Sequence, residues 1–237
     1  MNTNLRLAFS LFLLLISSTG FGQKQYVIQD LESWSHLGLE YKLNKKFEFG
    51  AEQQFRFQQN GSKLQQFFTE LGAEYSPIKP LEFGIRYRLI SERDFDNENN
   101  PLLNNQDRFQ LYAGYSHDIG RFDLKYRFAF QRRRDVFISD GLDRDPTPKI
   151  RLRFDLAYNI KDWKWDPEVS TEIFRFVQND SKTWDKIRFT LSTSRKISDL
   201  GKLSLFYRIE KELNGTYPQT TYILGAGFTF KLAKNDK

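Results

Sequence analysis

The chain contains no cysteine. Disulfides are therefore excluded, and stability must come from packing and backbone pairing. A lipoprotein anchor, which needs a cysteine after the leader, is excluded as well. Long apolar runs are nearly absent. One occurs at the start, in MNTNLRLAFSLFLLLISSTGFGQ, and its core from Leu7 to Ile16 is short of the about 20 residues that a membrane helix needs. Blocks of one charge are missing too. The 36 basic and 30 acidic residues are interleaved, so the net charge of +6 forms no arm for nucleic acid. Histidine is limited to His36 and His117. Neither falls in a metal-ligand spacing or a serine-nucleophile motif, so no metal, cofactor or catalytic residue is expected.

The opening run has the pattern of a secretory signal peptide. Arg6 supplies a positive start, an apolar stretch follows, and Gly20-Phe21-Gly22 is a small-x-small cleavage pattern. The expectation is a signal peptide over residues 1–22 and one domain over 23–237.

Aromatic residues are plentiful, 16% of the chain, although the average hydropathy is polar. Period-two alternation reconciles the two. In RFDLKYRFAF (121–130), Phe122, Leu124, Tyr126, Phe128 and Phe130 alternate with Asp123, Lys125 and Arg127. Similar segments recur from 34–43 to 222–230, eleven in all, with no helical periodicity between them. Connections alternate between short (44–46, 76–80, 117–120, 161–162, 198–201) and long and polar (58–66, 91–107, 131–149, 177–185, 213–220). Pairing apolar with apolar predicts Tyr115 opposite Phe122, Tyr75 opposite Leu81 and Ile197 opposite Leu203.

Four features choose between a soluble sandwich and a membrane barrel. Segments of nine to eleven residues match a tilted membrane strand better than a globular one. Alternating loop lengths match turns and loops facing different compartments. Tyr41, Phe47, Tyr75, Tyr115, Phe122, Tyr158 and Trp163 flank the short turns, whereas Phe55, Phe57, Tyr87, Phe109, Phe130 and Phe176 lie towards the long connections. Those are two aromatic girdles. Finally, the polar face is charged at mid-strand. The expected fold is all-β, an antiparallel up-and-down transmembrane β-barrel of Gram-negative outer-membrane type. A short strand at 25–29 would raise the count to about twelve, with ten as the alternative. Pro167 and a slip in alternation between Val169 and Phe174 predict a bulge.

The segments WSHLGLEYKLNKKFEFGAEQQFRF and RLRFDLAY, with Trp34, Gly38 and the Arg151–Arg153 pair, resemble the family called domain of unknown function 2490. The resemblance covers most of residues 23–237. It implies a secreted β-rich protein of the outer-membrane barrel kind and assigns no catalytic residue. GAGFTF, with Phe228 and Phe230, resembles the aromatic end signal read by barrel-assembly machinery. That machinery and outer-membrane lipid are the expected partners.

Lumen-lining residues are expected to be Glu48, Glu52, Glu70, Glu74, Arg86, Arg88, Lys125, Arg127, Arg151, Arg153, Glu172, Arg188 and Arg208. Lys42 is expected beside Glu48, Glu70 beside Arg86 and Arg151 beside Glu172. The acids concentrate on 47–75 and the bases on 81–154, so a transverse field is expected. Arg132, Arg133 and Arg134 are expected at the outer rim, where guanidinium suits lipid phosphate. Asp94, Asp96 and Glu98 alternate but lack the glycine and closing glutamate of a calcium loop, and read as solvated loop. The expected function is a narrow passive pore for small polar or anionic solutes, not an enzyme. The alternatives are a non-conducting structural or binding barrel, or a barrel-type lipid hydrolase.

Overall fold

The computed structural model describes residues 28–95, 101–136, 146–177, 184–214 and 216–233. Eleven strands close into one barrel: β1 (Ile28–Lys42), β2 (Phe47–Gln58), β3 (Lys63–Tyr75), β4 (Leu81–Phe95), β5 (Pro101–Ile119), β6 (Phe122–Asp135), β7 (Thr147–Tyr158), β8 (Asp166–Phe176), β9 (Trp184–Ile197), β10 (Gly201–Glu212) and β11 (Gln219–Ala233). Each strand pairs with its sequence neighbour in antiparallel fashion. The ring closes where β1 pairs with β11 in parallel, from Ile28 opposite Gln219 to Lys42 opposite Ala233.

The count of eleven lies between the ten and twelve expected. Residues 28 and 29 do not belong to a separate upward strand. They begin β1, whose direction then forces the parallel seam. Residues 25–27, like the signal peptide over 1–22, lie outside the described residues. Strands run 11 to 19 residues, longer than the alternation indicated. The 91–107 segment is mostly ladder, with Ser91 opposite Asn105 and a 2.8 Å contact between their side chains. Polar pairs there continue the hairpin where apolar alternation has stopped. At the other end, β8 begins only at Asp166, and Trp163 precedes it. Pro167 has no N–H for a ladder, and the pairing of β8 with β7 begins only after it, at Glu168.

Three expected hairpin registers are corrected, each by an even number. Gly120 takes φ +62°, so Gly120-Arg121 forms a two-residue turn and Ile119 faces Phe122. Tyr115 then faces Tyr126, not Phe122. Tyr75 faces Phe83, and Ile197 faces Gly201 across a turn in which Ser198 takes φ +49°. An even shift changes partners and leaves each side chain on its own face. Bulges fall between Arg56 and Phe57 and between Phe174 and Arg175, the second just beyond the expected slip.

The exterior is the apolar face. Leu37, Leu71, Val169, Leu191 and Leu224 stand about half exposed around the barrel, with Leu71 at 58%. Aromatic pairs such as Phe47–Tyr75 and Phe122–Tyr158 stack beside the short turns. Phe176 is the exception to the expected girdle: it faces the lumen.

Three lumen-facing rings lie flat on glycines of the neighbouring strand. A Cβ on Gly84 would sit 2.1 Å from the Tyr112 ring, one on Gly225 2.0 Å from Phe206, and one on Gly227 2.0 Å from His36. Each pair is in register. Only glycine lets a ring approach the sheet this closely, and the ring in turn fills the missing side chain.

Candidate functional site

The lumen holds a chamber of about 830 Å³ at the end of the long connections. Ten strands contribute to its wall, because alternate residues of each point inward. Arg56, Arg86, Arg88, Arg108, Arg127, Arg133, Arg151, Arg153, Arg188, Arg208, Lys149 and Lys186 line it. Against them stand Glu52, Glu70, Glu92 and Asp135. A second cavity of about 120 Å³ lies towards the short turns, lined by Glu40, Glu48, Glu52, Glu70 and Glu74. The two share Glu52, Glu70 and Arg86. The charge asymmetry therefore runs along the barrel as well as across it. Gly38, Gly50 and Gly72 leave room beside the acids.

Two buried carboxylates organise the arginines. Glu70 accepts hydrogen bonds from Arg88 Nε at 2.7 Å and Arg108 Nη2 at 3.1 Å, with Arg86 Nη1 at 3.6 Å. Glu172, 1% exposed, accepts from Arg151, from Arg153 Nη1 at 3.0 Å and from Arg188 Nη1 at 2.8 Å. Satellite pairs extend the network. Arg188 and Lys186 donate to Glu210, Arg153 to Asp155, Arg127 to Glu82, and Arg86 with Tyr112 to Glu74. Among the described residues, each ion pair between strands joins neighbours or next neighbours in the barrel. The pairs run around the wall and do not cross the lumen, which leaves the chamber between them.

Glu70 faces Arg88 directly and reaches Arg86 diagonally, and Glu172 faces Arg153 and reaches Arg151 diagonally. Lys42 is opposite Glu48, 3.5 Å away. Lys125 pairs with Asp123 at 3.3 Å near a short turn, outside both cavities. Arg132, Arg133 and Arg134 divide between two faces. Arg133 points inward to Glu92 at 2.8 Å. Arg134 bonds both oxygens of Asp107, at 3.0 and 3.1 Å, on the face that carries Tyr87 and Leu89. Arg132 is exposed on that face, close to the long connections. Asp96 and Glu98 lie outside the described residues.

Aromatic rings inside the lumen are the part that charge patterning alone misses. Arg56 lies 3.7 Å above the Trp34 ring and 5.1 Å from Phe68. Arg208 lies 5.0 Å from Trp34 and 4.8 Å from Phe206, and Arg88 lies 3.4 Å above Phe68. Phe174 carries Arg151 and Arg188. The signal was parity. Trp34 shares it with His36, Phe68 with Glu70, Phe174 with Glu172 and Phe206 with Arg208. Cation–π contact favours the charged guanidinium and uses no carboxylate.

His36 stands opposite Gln54 on one side and Gly227 on the other. Ser204 Oγ is 3.5 Å from His36 Nε2 and donates to the Gly227 carbonyl at 3.2 Å.

A family model described as "Protein of unknown function (DUF2490)" matches residues 31–220. The chain belongs to this family. No curated protein matches the sequence. Among solved structures, the chain is similar to the β domain of the Bordetella autotransporter BrkA, with 9% identity, a TM-score of 0.48, and 76% of this chain and 82% of that one covered. For this DUF2490 chain, the lumen itself is the feature on which a function can be argued.

Proposed function

We propose that the chain is an outer-membrane barrel whose lumen is a narrow passive pore for small polar solutes, favouring anions. The observation that carries this reading is the cationic chamber of about 830 Å³, left open because the ion pairs run around the wall. The apolar exterior supports the membrane location. Half-exposed leucines around the whole barrel are costly in water and favourable against lipid. Charged lumen residues are tolerable when water and partners reach them. Signal peptide, assembly machinery and surrounding lipid complete the reading, with Arg132 and Arg134 at the outer rim as candidates for lipid phosphate. The reading includes no catalytic step.

One observation favours a second reading, a barrel that binds without conducting. The chamber meets the smaller cavity at Glu52, Glu70 and Arg86, where side chains narrow the lumen and the acids repel anions. Single-channel recording in a planar bilayer separates the two. Stable conductance steps from purified, folded protein support the pore. Folded protein that gives no steps leaves the binding barrel. Arg151→Glu with Arg153→Glu is a poor probe of selectivity, because both arginines hold Glu172 and their loss strands it. Arg56 and Arg208 serve better.

A further inference from the structure

Ser35, Gln53 and Thr69 point outward, on the face that carries Leu37, Phe55 and Tyr75. Gln53 is directly opposite Thr69. Ser35 is its diagonal neighbour on β1, because Leu37 is opposite Gln53 and Ser35 is opposite Phe55. Each of the three stands six residues along its strand from an aromatic residue of the short-turn girdle: Ser35 from Tyr41, Gln53 from Phe47 and Thr69 from Tyr75. On strands tilted by about 40°, six residues rise about 15 Å, well inside an apolar band about 25 Å tall. At the same offset from Tyr115, Phe122 and Tyr158, strands β5, β6 and β7 present Phe109, Phe128 and Leu152. Strands β1, β2 and β3 therefore carry a polar patch at a depth where β5, β6 and β7 are apolar.

The patch is only partly satisfied by its own hydrogen bonds. Thr69 Oγ1 donates to Gln53 Oε1 at 2.5 Å. The Gln53 amide nitrogen makes no hydrogen bond among the described residues, and neither does the Ser35 hydroxyl. That nitrogen carries two donors, and the hydroxyl oxygens of Ser35 and Thr69 keep lone pairs to accept with. Acyl chains offer neither donor nor acceptor, and a polar group left unmet in hydrocarbon is costly. The covering surface must itself supply polar groups. Donors and acceptors lie side by side here, so the patch complements itself: turned about a twofold axis, it sets the hydroxyls of one copy before the amide of the other. Small neighbours let two such surfaces come close. Ala51 is the next outward residue on β2, and Ala226 is opposite Ser35 on β11.

We propose that the exterior of β1–β3 is a dimer interface with a second copy of this chain, in which the Gln53 amide of each copy donates to a hydroxyl of the other. This rests on the membrane reading of the exterior and adds what that face meets. It does not depend on whether the lumen conducts.

The absence of cysteine makes the test clean, because a single introduced thiol is the only one present. The full chain is reconstituted in phospholipid vesicles as Ser35→Cys and, as a control on the far side of the barrel, as Leu152→Cys. After mild oxidation, a disulfide-linked dimer is expected from Ser35→Cys and not from Leu152→Cys. Adding Gln53→Leu to Ser35→Cys should lower the linked fraction at least about tenfold, since two symmetric hydrogen bonds are lost. Sedimentation of the otherwise unmodified protein in detergent should give a dimer mass, and Gln53→Leu a monomer mass. The Gln53→Leu barrel should still fold, shown by faster migration on unheated gels, because leucine suits lipid. Equal linking from Ser35→Cys and Leu152→Cys, a dimer unmoved by Gln53→Leu, or a monomer mass for folded wild type overturns the proposal while the membrane reading stands. A chain that stays monomeric and soluble without detergent overturns both.

Discussion

Arg56 sits over Trp34, its guanidinium carbon 3.7 Å from the ring centre, and this ring is where β1 and β2 hold a lumen cation that has no carboxylate within 4.0 Å among the described residues. Trp34 is 6% exposed and also touches Phe206 edge-on and Arg208. Trp34→Ala should cost about 3–5 kcal/mol, as for other buried aromatic truncations. Trp34→Phe should cost clearly less, because a ring remains under both cations. Urea unfolding of the barrel in lipid vesicles gives both values.

Glu172 should be the most sensitive acid in the lumen. It is buried and receives three arginines from β7 and β9. Glu172→Gln keeps the shape and removes the charge, leaving three guanidinium groups facing one another. The expected loss is about 3–5 kcal/mol. Glu48, whose partner Lys42 is well exposed at the short-turn end, should lose under about 1 kcal/mol in the same substitution. The same unfolding assay compares them.

The ring-on-glycine joints predict a non-additive pair. Gly84→Ala places a methyl group where the Tyr112 ring sits and should destabilise by about 1–3 kcal/mol. In a Tyr112→Ala background the methyl group has space, so Gly84→Ala should be nearly neutral there. A double-mutant cycle reads the coupling directly. Equal effects of Gly84→Ala in both backgrounds would mean the ring does not occupy that place.

Lipid contact is tested by placing arginine on the exterior at two depths. Leu71 is mid-strand on β3, and Phe47 starts β2 beside a short turn. In a membrane barrel Leu71→Arg should cost about 2–4 kcal/mol and Phe47→Arg about 0–1 kcal/mol. On a water-soluble barrel, Leu71→Arg at a position already 58% exposed should cost almost nothing. Folding yield into vesicles and unfolding midpoint both report the difference.

Period-two alternation made the barrel and its two faces legible, because a strand that is greasy on one side cannot slip by one residue. The inward placement of Glu70, Arg86 and Glu172 followed from that parity. Pairing partners were less legible. The two-residue turn at Gly120-Arg121 moves Tyr115 from Phe122 to Tyr126 without changing its face, and no apolar pattern distinguishes the two registers. The β1–β11 seam was illegible for another reason: it joins the two ends of the sequence, and parallel closure leaves no local signature. Inside the lumen, Trp34, Phe68, Tyr112 and Phe206 share parity with charges. A large ring on the polar face is explained only by the arginines and glycines that neighbouring strands bring against it.

The most direct test of a cation-rich lumen that admits anions is the reversal potential of single channels under a tenfold potassium chloride gradient. The purified full chain is reconstituted in a planar bilayer, as wild type and as Arg56→Gln with Arg208→Gln. The account predicts conductance with a reversal potential on the chloride side of zero for wild type. It predicts a shift towards zero in the double variant, which removes two charges that make no ion pair within 4.0 Å among the described residues. Cation-selective conductance in wild type, or a reversal potential unmoved by removing both arginines, would contradict it.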